Sequence, residues 1–335
     1  MIFFRSGRNS ANEGRKSLFF SVILIVLIGS LLLVNTSPSR VIAQNGTPTA
    51  TPVIDATGQI IFRQNDALSS ISPDGTALQA LPLDAGFTTM CPVWSHDGKQ
   101  IAAIGGATEF GLYVVAATGG TRRAVLKNDP KNPSTDPPTG IPAWSPNDQT
   151  MAYTGQSGTL YEVNVADGKL QLKLNTVTFL SVDWSPDAKQ LVAFGVSPDG
   201  TTGIFTMNVD GSNLQTLVLL SQDDLSFALT SDHFFTRDTA LPRWSPDSTQ
   251  IAYSAVTNGL SSVYTLPVTG GSPQQITDPT ISAYAPAWSP DGHYLAYTAE
   301  VGNERTVNVI DLTQPRFGAL TDFRIGGCPI WEPTK

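Results

Sequence analysis

Two cysteines, three histidines and a surplus of carboxylates are the residues from which this 335-residue chain could build a reactive site. His96, His233 and His293 lack the spacing of a metal-ligand set. His96 and His293 stand in or beside turn sequences and read as surface turn residues. The recurrent Asp-Gly pairs never form an alternating Asp-x-Asp-x-Asp-Gly loop with a distal Glu, so they read as turns rather than calcium loops. A Gly-x-Ser-x-Gly elbow, a His-Glu-x-x-His pair and a phosphate-binding glycine loop are all missing from the sequence. No catalytic residue is nominated and no cofactor is expected. What remains is Cys91 and Cys328, each standing just before Pro-x-Trp.

That phrase belongs to a repeat. CPVWSHDG, IPAWSPND, SVDWSPDA, LPRWSPDS and APAWSPDG are near-copies, and CPIWEPTK from Cys328 is a truncated sixth. Every tryptophan of the chain occupies the same place in it: Trp94, Trp144, Trp184, Trp244, Trp288 and Trp331. Intervals of 50, 40, 60, 44 and 43 residues mark a propeller or solenoid array. The Trp phrase reads as a first strand. Ser-Pro-Asp-Gly is turn chemistry, since Pro fixes φ, Asp bonds nearby backbone and Gly takes the left-handed position. A short apolar run such as Gln-Ile-Ala-Tyr-Ser at 250–254 gives a second strand, and two more short strands complete each unit. Four antiparallel strands in about 40–45 residues make a propeller blade, and no segment carries a helical period of useful length. The first blade lacks its first strand, which the truncated copy at 328–332 supplies. The expectation is an all-β, six-bladed propeller over 58–335, closed by the C-terminal strand joining the N-terminal blade, with the six tryptophans packing between blades.

Pro-x-Trp-Ser-Pro-Asp-Gly followed by Ile-Ala-Tyr resembles the TolB-like, WD-repeat-like Pro-Asp propeller family, and is also similar to the propellers of prolyl-oligopeptidase-type enzymes. The resemblance covers 58–335 and implies the same fold and a bacterial envelope setting. Neither the separate N-terminal α/β domain of the first group nor the α/β-hydrolase domain of the second is expected here. Fold does not fix function, because one fold hosts many activities.

The ends set the compartment. Residues 1–17 are net positive and 18–34 form an uncharged apolar run, which orients the remainder outward. This run is a signal peptide, with Val41-Ile42-Ala43 resembling a cleavage site, or a single transmembrane anchor. The Thr/Pro-rich stretch that follows, within 35–57, is an extended tether. An exported chain folds under oxidising conditions, and blade closure puts Cys91 and Cys328 in adjacent blades. A disulfide between them is therefore expected, the alternative being two small buried thiols.

Of 20 basic and 28 acidic residues, 5 and 2 fall in 1–57, which leaves the rest at a net charge of −11. That surface repels nucleic acid. The informative asymmetry lies in the loops. First-to-second and third-to-fourth turns share one face and are short and repetitive. Second-to-third and interblade connections share the other face and include two long segments, 127–140 and 220–240. Long loops on a rigid scaffold are where binding resides. Phe227, His233, Phe234, Phe235 and Arg237, with Arg243 just beyond, are the candidate partner-binding residues, the alternative being a packed Ω-loop whose phenylalanines cap the propeller. The expected function is a monomeric, non-catalytic protein-interaction module of the cell envelope, touching the membrane only through its N-terminal segment. The alternative is a carbohydrate- or small-ligand-binding propeller, or a hydrolase or lyase whose acidic groups and Arg243 converge near the channel.

Overall fold

The serine of Ser-Pro-Asp-Gly organises every complete turn. Its hydroxyl donates to the residue two positions on, as in Ser95–Asp97, Ser145–Asn147, Ser185–Asp187, Ser245–Asp247 and Ser289–Asp291. It also accepts the N–H five residues on, from Gln100, Thr150, Gln190, Gln250 and Tyr294. All five hydroxyl-bearing residues are buried. The fourth turn position, Gly98, Asp148, Ala188, Ser248 or Gly292, is left-handed at φ of 58–73°. Glycine is the relaxed choice there, and the three other residues accept strain to keep the turn.

The structure is a computed structural model. It describes residues 58–64, 67–83, 91–106, 110–127, 136–230, 241–302, 304–313, 323–324 and 326–333, without the side chains of 227–230 and 323–324. The turns join strands into six antiparallel four-stranded sheets. Blade 1 runs Gly327–Trp331, Ile60–Gln64, Ala67–Ile71, Gln79–Ala80 from inside to outside. The C-terminal strand thus pairs with the N-terminal one, Trp331 opposite Ile60. Blade 2 is Val93–Trp94, Gln100–Gly105, Gly111–Ala116 and Arg123–Lys127, and blade 3 is Pro138–Trp144, Thr150–Gly155, Leu160–Asn164 and Leu170–Leu174. Blade 4 is Thr178–Trp184, Gln190–Val196, Thr202–Asn208 and Gln215–Leu219, and blade 5 is Arg243–Trp244, Gln250–Thr257, Leu260–Pro267 and Gln274–Gln275. Blade 6 is Ser282–Trp288, Tyr294–Val301, Glu304–Asp311 and Phe323–Arg324. Each first strand touches the first strand of the next blade all the way round, so these strands form the inner wall of a closed ring.

Between blades the tryptophans point one way. Trp144 packs with Val93, Ala102, Ile104 and Leu112 of the preceding blade, and Trp184 with Ala143, Ala152 and Leu160. Trp244 meets Val192 and Ile204, Trp288 meets Ala252 and Val263, Trp331 meets Ala296 and Val307, and Trp94 meets Ile61 and Leu68. Each blade therefore carries its indole as a wedge into the blade before it.

Cys91 and Cys328 are disulfide-bonded, their Cα atoms 5.3 Å apart, and both are buried. The bond ties the strand that closes blade 1 to the start of blade 2.

Two local features depart from the sequence reading. Four first strands slip register shortly before their tryptophan, between Thr139 and Ala143, Phe179 and Ser181, Tyr284 and Ala287, and opposite Ile61 and Arg63 in the C-terminal strand. Such bulges bend a strand and raise its twist. In addition, the long segment after blade 4 holds a helix, Gln222–Thr230, where no helix was expected. Its start is a capping box. The Ser221 hydroxyl accepts the Asp224 N–H, while the Asp224 carboxylate accepts the Ser221 N–H at 2.7 Å. Leu225 then packs with Leu180 and Phe194 of blade 4.

Candidate functional site

Every blade offers the same two ends to solvent, and the ends differ in how they are held. At the turn end, two of the five left-handed residues, Asp148 and Ser248, reach back to the previous blade. Asp148 accepts the N–H groups of His96 (2.7 Å) and Asp97 (2.9 Å), and its Oδ1 lies 3.2 Å from His96 Nδ1. Ser248 accepts the Asp187 N–H. The Asp97 carboxyl is held down at about 2, chiefly by the Lys99 ammonium and then by the Lys99 N–H and Ser95 hydroxyl. A depressed carboxyl supports the fold above its ordinary range and loses that support as pH falls toward 2. This end is a repeated structural lattice of satisfied polar groups.

One pair breaks the repetition. The residue before Trp is Val93, Ala143, Asp183, Arg243, Ala287 or Ile330 in the six blades. Asp183 and Arg243 are adjacent in the ring. Asp183 Oδ2 accepts the Trp244 N–H at 3.0 Å, and its Oδ1 lies 3.4 Å from Arg243 Nη1. Burial pushes the Asp183 carboxyl up, against the opposing pull of Arg243, the Trp244 N–H and the His96 charge. A raised carboxyl binds its proton more tightly in the folded state. Its contribution to stability therefore declines as pH rises above the ordinary carboxylate value.

At the loop end, the two long segments are fastened by carboxylates to the blade that follows each. Asp136, from the segment leading into blade 3, accepts the Ser157 N–H and hydroxyl and the Tyr161 hydroxyl. Asp224, only 5% exposed, accepts the Val256 N–H of blade 5 at 2.5 Å in addition to its bonds to Ser221. A tyrosine pair underlies each fastening, Tyr153 stacked on Tyr161 and Tyr253 on Tyr264. Burial pushes the Tyr153 and Tyr253 phenols up, with the nearby tyrosine and then Asp136 or Asp224 adding to the effect. Asp224→Ala is expected to cost about 2 kcal/mol, because it strips the helix cap and leaves the Val256 N–H unpaired. Denaturant unfolding measures the loss, and limited proteolysis should cut within 220–240 before the ring opens.

The nominated partner-binding residues are not brought together by the described residues. Phe227 lies in the helix, but its side chain is outside the described part. His233, Phe234, Phe235 and Arg237 are outside the described residues. Arg243 is described and stands at a different level of blade 5 from the helix. It pairs with Ala252, near the start of the second strand, whereas Asp224 fastens the helix to Val256, near that strand's other end. Four residues of strand separate the two levels by about 13 Å. Arg243 thus belongs to the inner wall toward the turn end, not to the loop face. The Asp136 and Asp224 fastenings were missed by sequence reasoning. Ser-x-x-Asp at 221–224 was the one signal that could have found the second of them. Among the described residues no three His, Cys, Asp or Glu side chains converge as a metal-holding group.

Six four-stranded blades wedged by tryptophan, closed by the C-terminal strand, define a six-bladed β-propeller of TolB-like fold. TolB from Acinetobacter baumannii superposes with a TM-score of 0.62 at 18% identity, over 84% of this chain and 68% of that one. A chain from a nidogen–laminin complex superposes with a TM-score of 0.58 at 14% identity, over 82% of this chain and 98% of that one. In sequence, an uncharacterized protein of Agrobacterium fabrum is 30% identical over 143 residues, 40% of this chain and 45% of that protein. The chain thus spans under half of that relative's length. No family model matches the chain.

Proposed function

We propose that this chain is an exported, monomeric, non-catalytic propeller that presents its loop face to a protein partner in the bacterial cell envelope. The observation that carries the reading is the difference between the two ends. The turn end is a repeated lattice of short, satisfied turns. The loop end carries two long insertions, each fastened to the following blade by a carboxylate. A scaffold that spends buried hydrogen bonds on holding long loops in place suits recognition by a preorganised surface. Export is supported by the Cys91–Cys328 bond, since such bonds persist in oxidising compartments, and by the likeness to TolB. Protein binding is supported by the likeness to a chain solved within a protein–protein complex. Among the described residues no helix is long and apolar enough to cross a membrane, and the apolar run at 18–34 lies outside them.

The test is affinity capture from native envelope extract. Immobilised wild-type protein is compared with a variant whose 220–240 segment is replaced by a short Gly/Ser turn, both checked for folding by circular dichroism. A protein retained by the first and lost by the second is the expected result. Equal capture by both, or by neither, counts against a loop-face interaction module.

A further inference from the structure

One guanidinium sits where the other blades place apolar residues or a carboxylate. Arg243 is on the innermost strand of blade 5, and its side chain is 10% exposed. Its backbone is clamped on both sides. The Arg243 carbonyl accepts the Trp288 indole N–H at 3.2 Å, and the next N–H, that of Trp244, donates to Asp183. The guanidinium itself is poorly matched. Among the described residues it makes one contact, to Asp183 Oδ1 at 3.4 Å, long for a bond between two charges, which runs about 2.7–2.9 Å. Guanidinium has five donors in a planar fork. None of the Arg243 nitrogens is among the sealed side-chain atoms that lack a partner, so its remaining donors open to solvent. Arg243 and its partner Asp183 both stand on first strands, which line the inside of the ring, so the side of the fork left open lies at that inner wall. Burying a cation so deeply with so little pairing is costly.

We infer that Arg243 anchors a binding site for a carboxylate at the inner wall of the ring, on its turn side. The ligand carboxylate takes the free edge of the guanidinium as a two-bond fork, the pairing for which arginine is shaped. Asp183 holds the other edge and keeps the fork from rotating. The same neighbour sets the charge of the ligand. One negative group beside Asp183 is offset by Arg243, whereas a doubly charged phosphate meets twice the repulsion from Asp183; the other four residues that precede Trp carry no charge, and the His96 charge that reaches Asp183 acts on it more weakly than that of Arg243. The site is independent of the loop-face reading, which uses the opposite end of the strands.

The test uses the full chain labelled with 15N at its indoles and titrated with four probes. Acetate represents a free small carboxylate, and N-acetylglycine a peptide chain end. N-acetylglycinamide has the same body without the charge, and inorganic phosphate is a doubly charged anion. Saturable shifts of indole resonances with Kd of about 1–10 mM are expected for a carboxylate probe, at least tenfold weaker for the amide and for phosphate. Binding of acetate and N-acetylglycine alike assigns a free small acid, and binding of N-acetylglycine alone assigns a chain end. Arg243→Gln should weaken carboxylate binding at least tenfold. Should that variant misfold, Asp183→Asn carries the test: it preserves an acceptor for the Trp244 N–H, removes the competing charge, and should tighten carboxylate binding at least threefold. No saturable shift with either carboxylate, tighter binding of phosphate, binding that survives Arg243→Gln, or an affinity unchanged by Asp183→Asn would each overturn the site.

Discussion

Replacing Cys91 and Cys328 together by serine is expected to lower the unfolding free energy by about 5 kcal/mol. The bond spans 237 residues of chain, so it removes a large share of the conformations open to the unfolded state. In the chain-entropy description that share grows with the logarithm of the loop, and this loop is near the upper end. The native contribution is local. Cys91 and Cys328 are packed with Val93, Ile141 and Trp144, so two buried hydroxyls without assured partners add a further penalty. The midpoint of thermal unfolding should fall by on the order of 10 °C. The wild-type protein unfolded in the presence of a strong reductant should match the double variant. A double variant as stable as the oxidised wild type would mean that the C-terminal strand alone holds the ring.

Trp144→Ala is expected to cost about 3–5 kcal/mol, the range for truncating a buried tryptophan. Trp144 is 3% exposed, wedged against blade 2, and its indole N–H donates to the Val93 carbonyl at 3.3 Å. Removing it leaves both a cavity and an unpaired carbonyl on the inner wall. The hydrogen-bond part can be separated from the packing part by phenylalanine. Trp144→Phe loses the bond to Val93, whereas the Trp184 indole N–H has no acceptor among the described residues. Trp184→Phe should therefore be milder than Trp144→Phe by about 1 kcal/mol. Urea denaturation of the three single variants measures both differences, and equal costs for the two phenylalanine variants would remove the hydrogen bond from the account.

The blade architecture was legible because it is written six times. The truncated CPIWEPTK copy and the incomplete first blade point to one closure, and the strand Gly327–Trp331 makes it beside Ile60–Gln64. Repetition identifies what every blade needs: the Trp wedge, the Ser-Pro-Asp-Gly turn, the apolar second strand. It is silent about what a single blade does differently. The helix Gln222–Thr230 appears once, so no periodicity announced it, and only its Ser221–Asp224 cap was visible locally. Asp136 and Asp224 look like ordinary loop carboxylates until the ring brings Ser157 and Val256 against them. Arg243 was grouped with the residues before it because they are near in sequence. A strand has two ends, and the pairing with Ala252 assigns it to the end away from the helix. Bulges escape for the same reason, because a slip of register depends on the partner strand.

The Cys91–Cys328 bond also determines how the ring bears a pull along the chain. Tension between the two ends runs through 58–91, crosses the sulfur atoms, and leaves through 328–335. Everything from 92 to 327, which includes all the strands of blades 2–6, lies outside that path. A stretched molecule can pay out only about 150 Å of those flanking segments, against nearly 1,000 Å for the same region without the bond. The closing blade becomes a mechanical fuse, able to peel and re-zip while the rest of the propeller, with its loop face, stays unloaded.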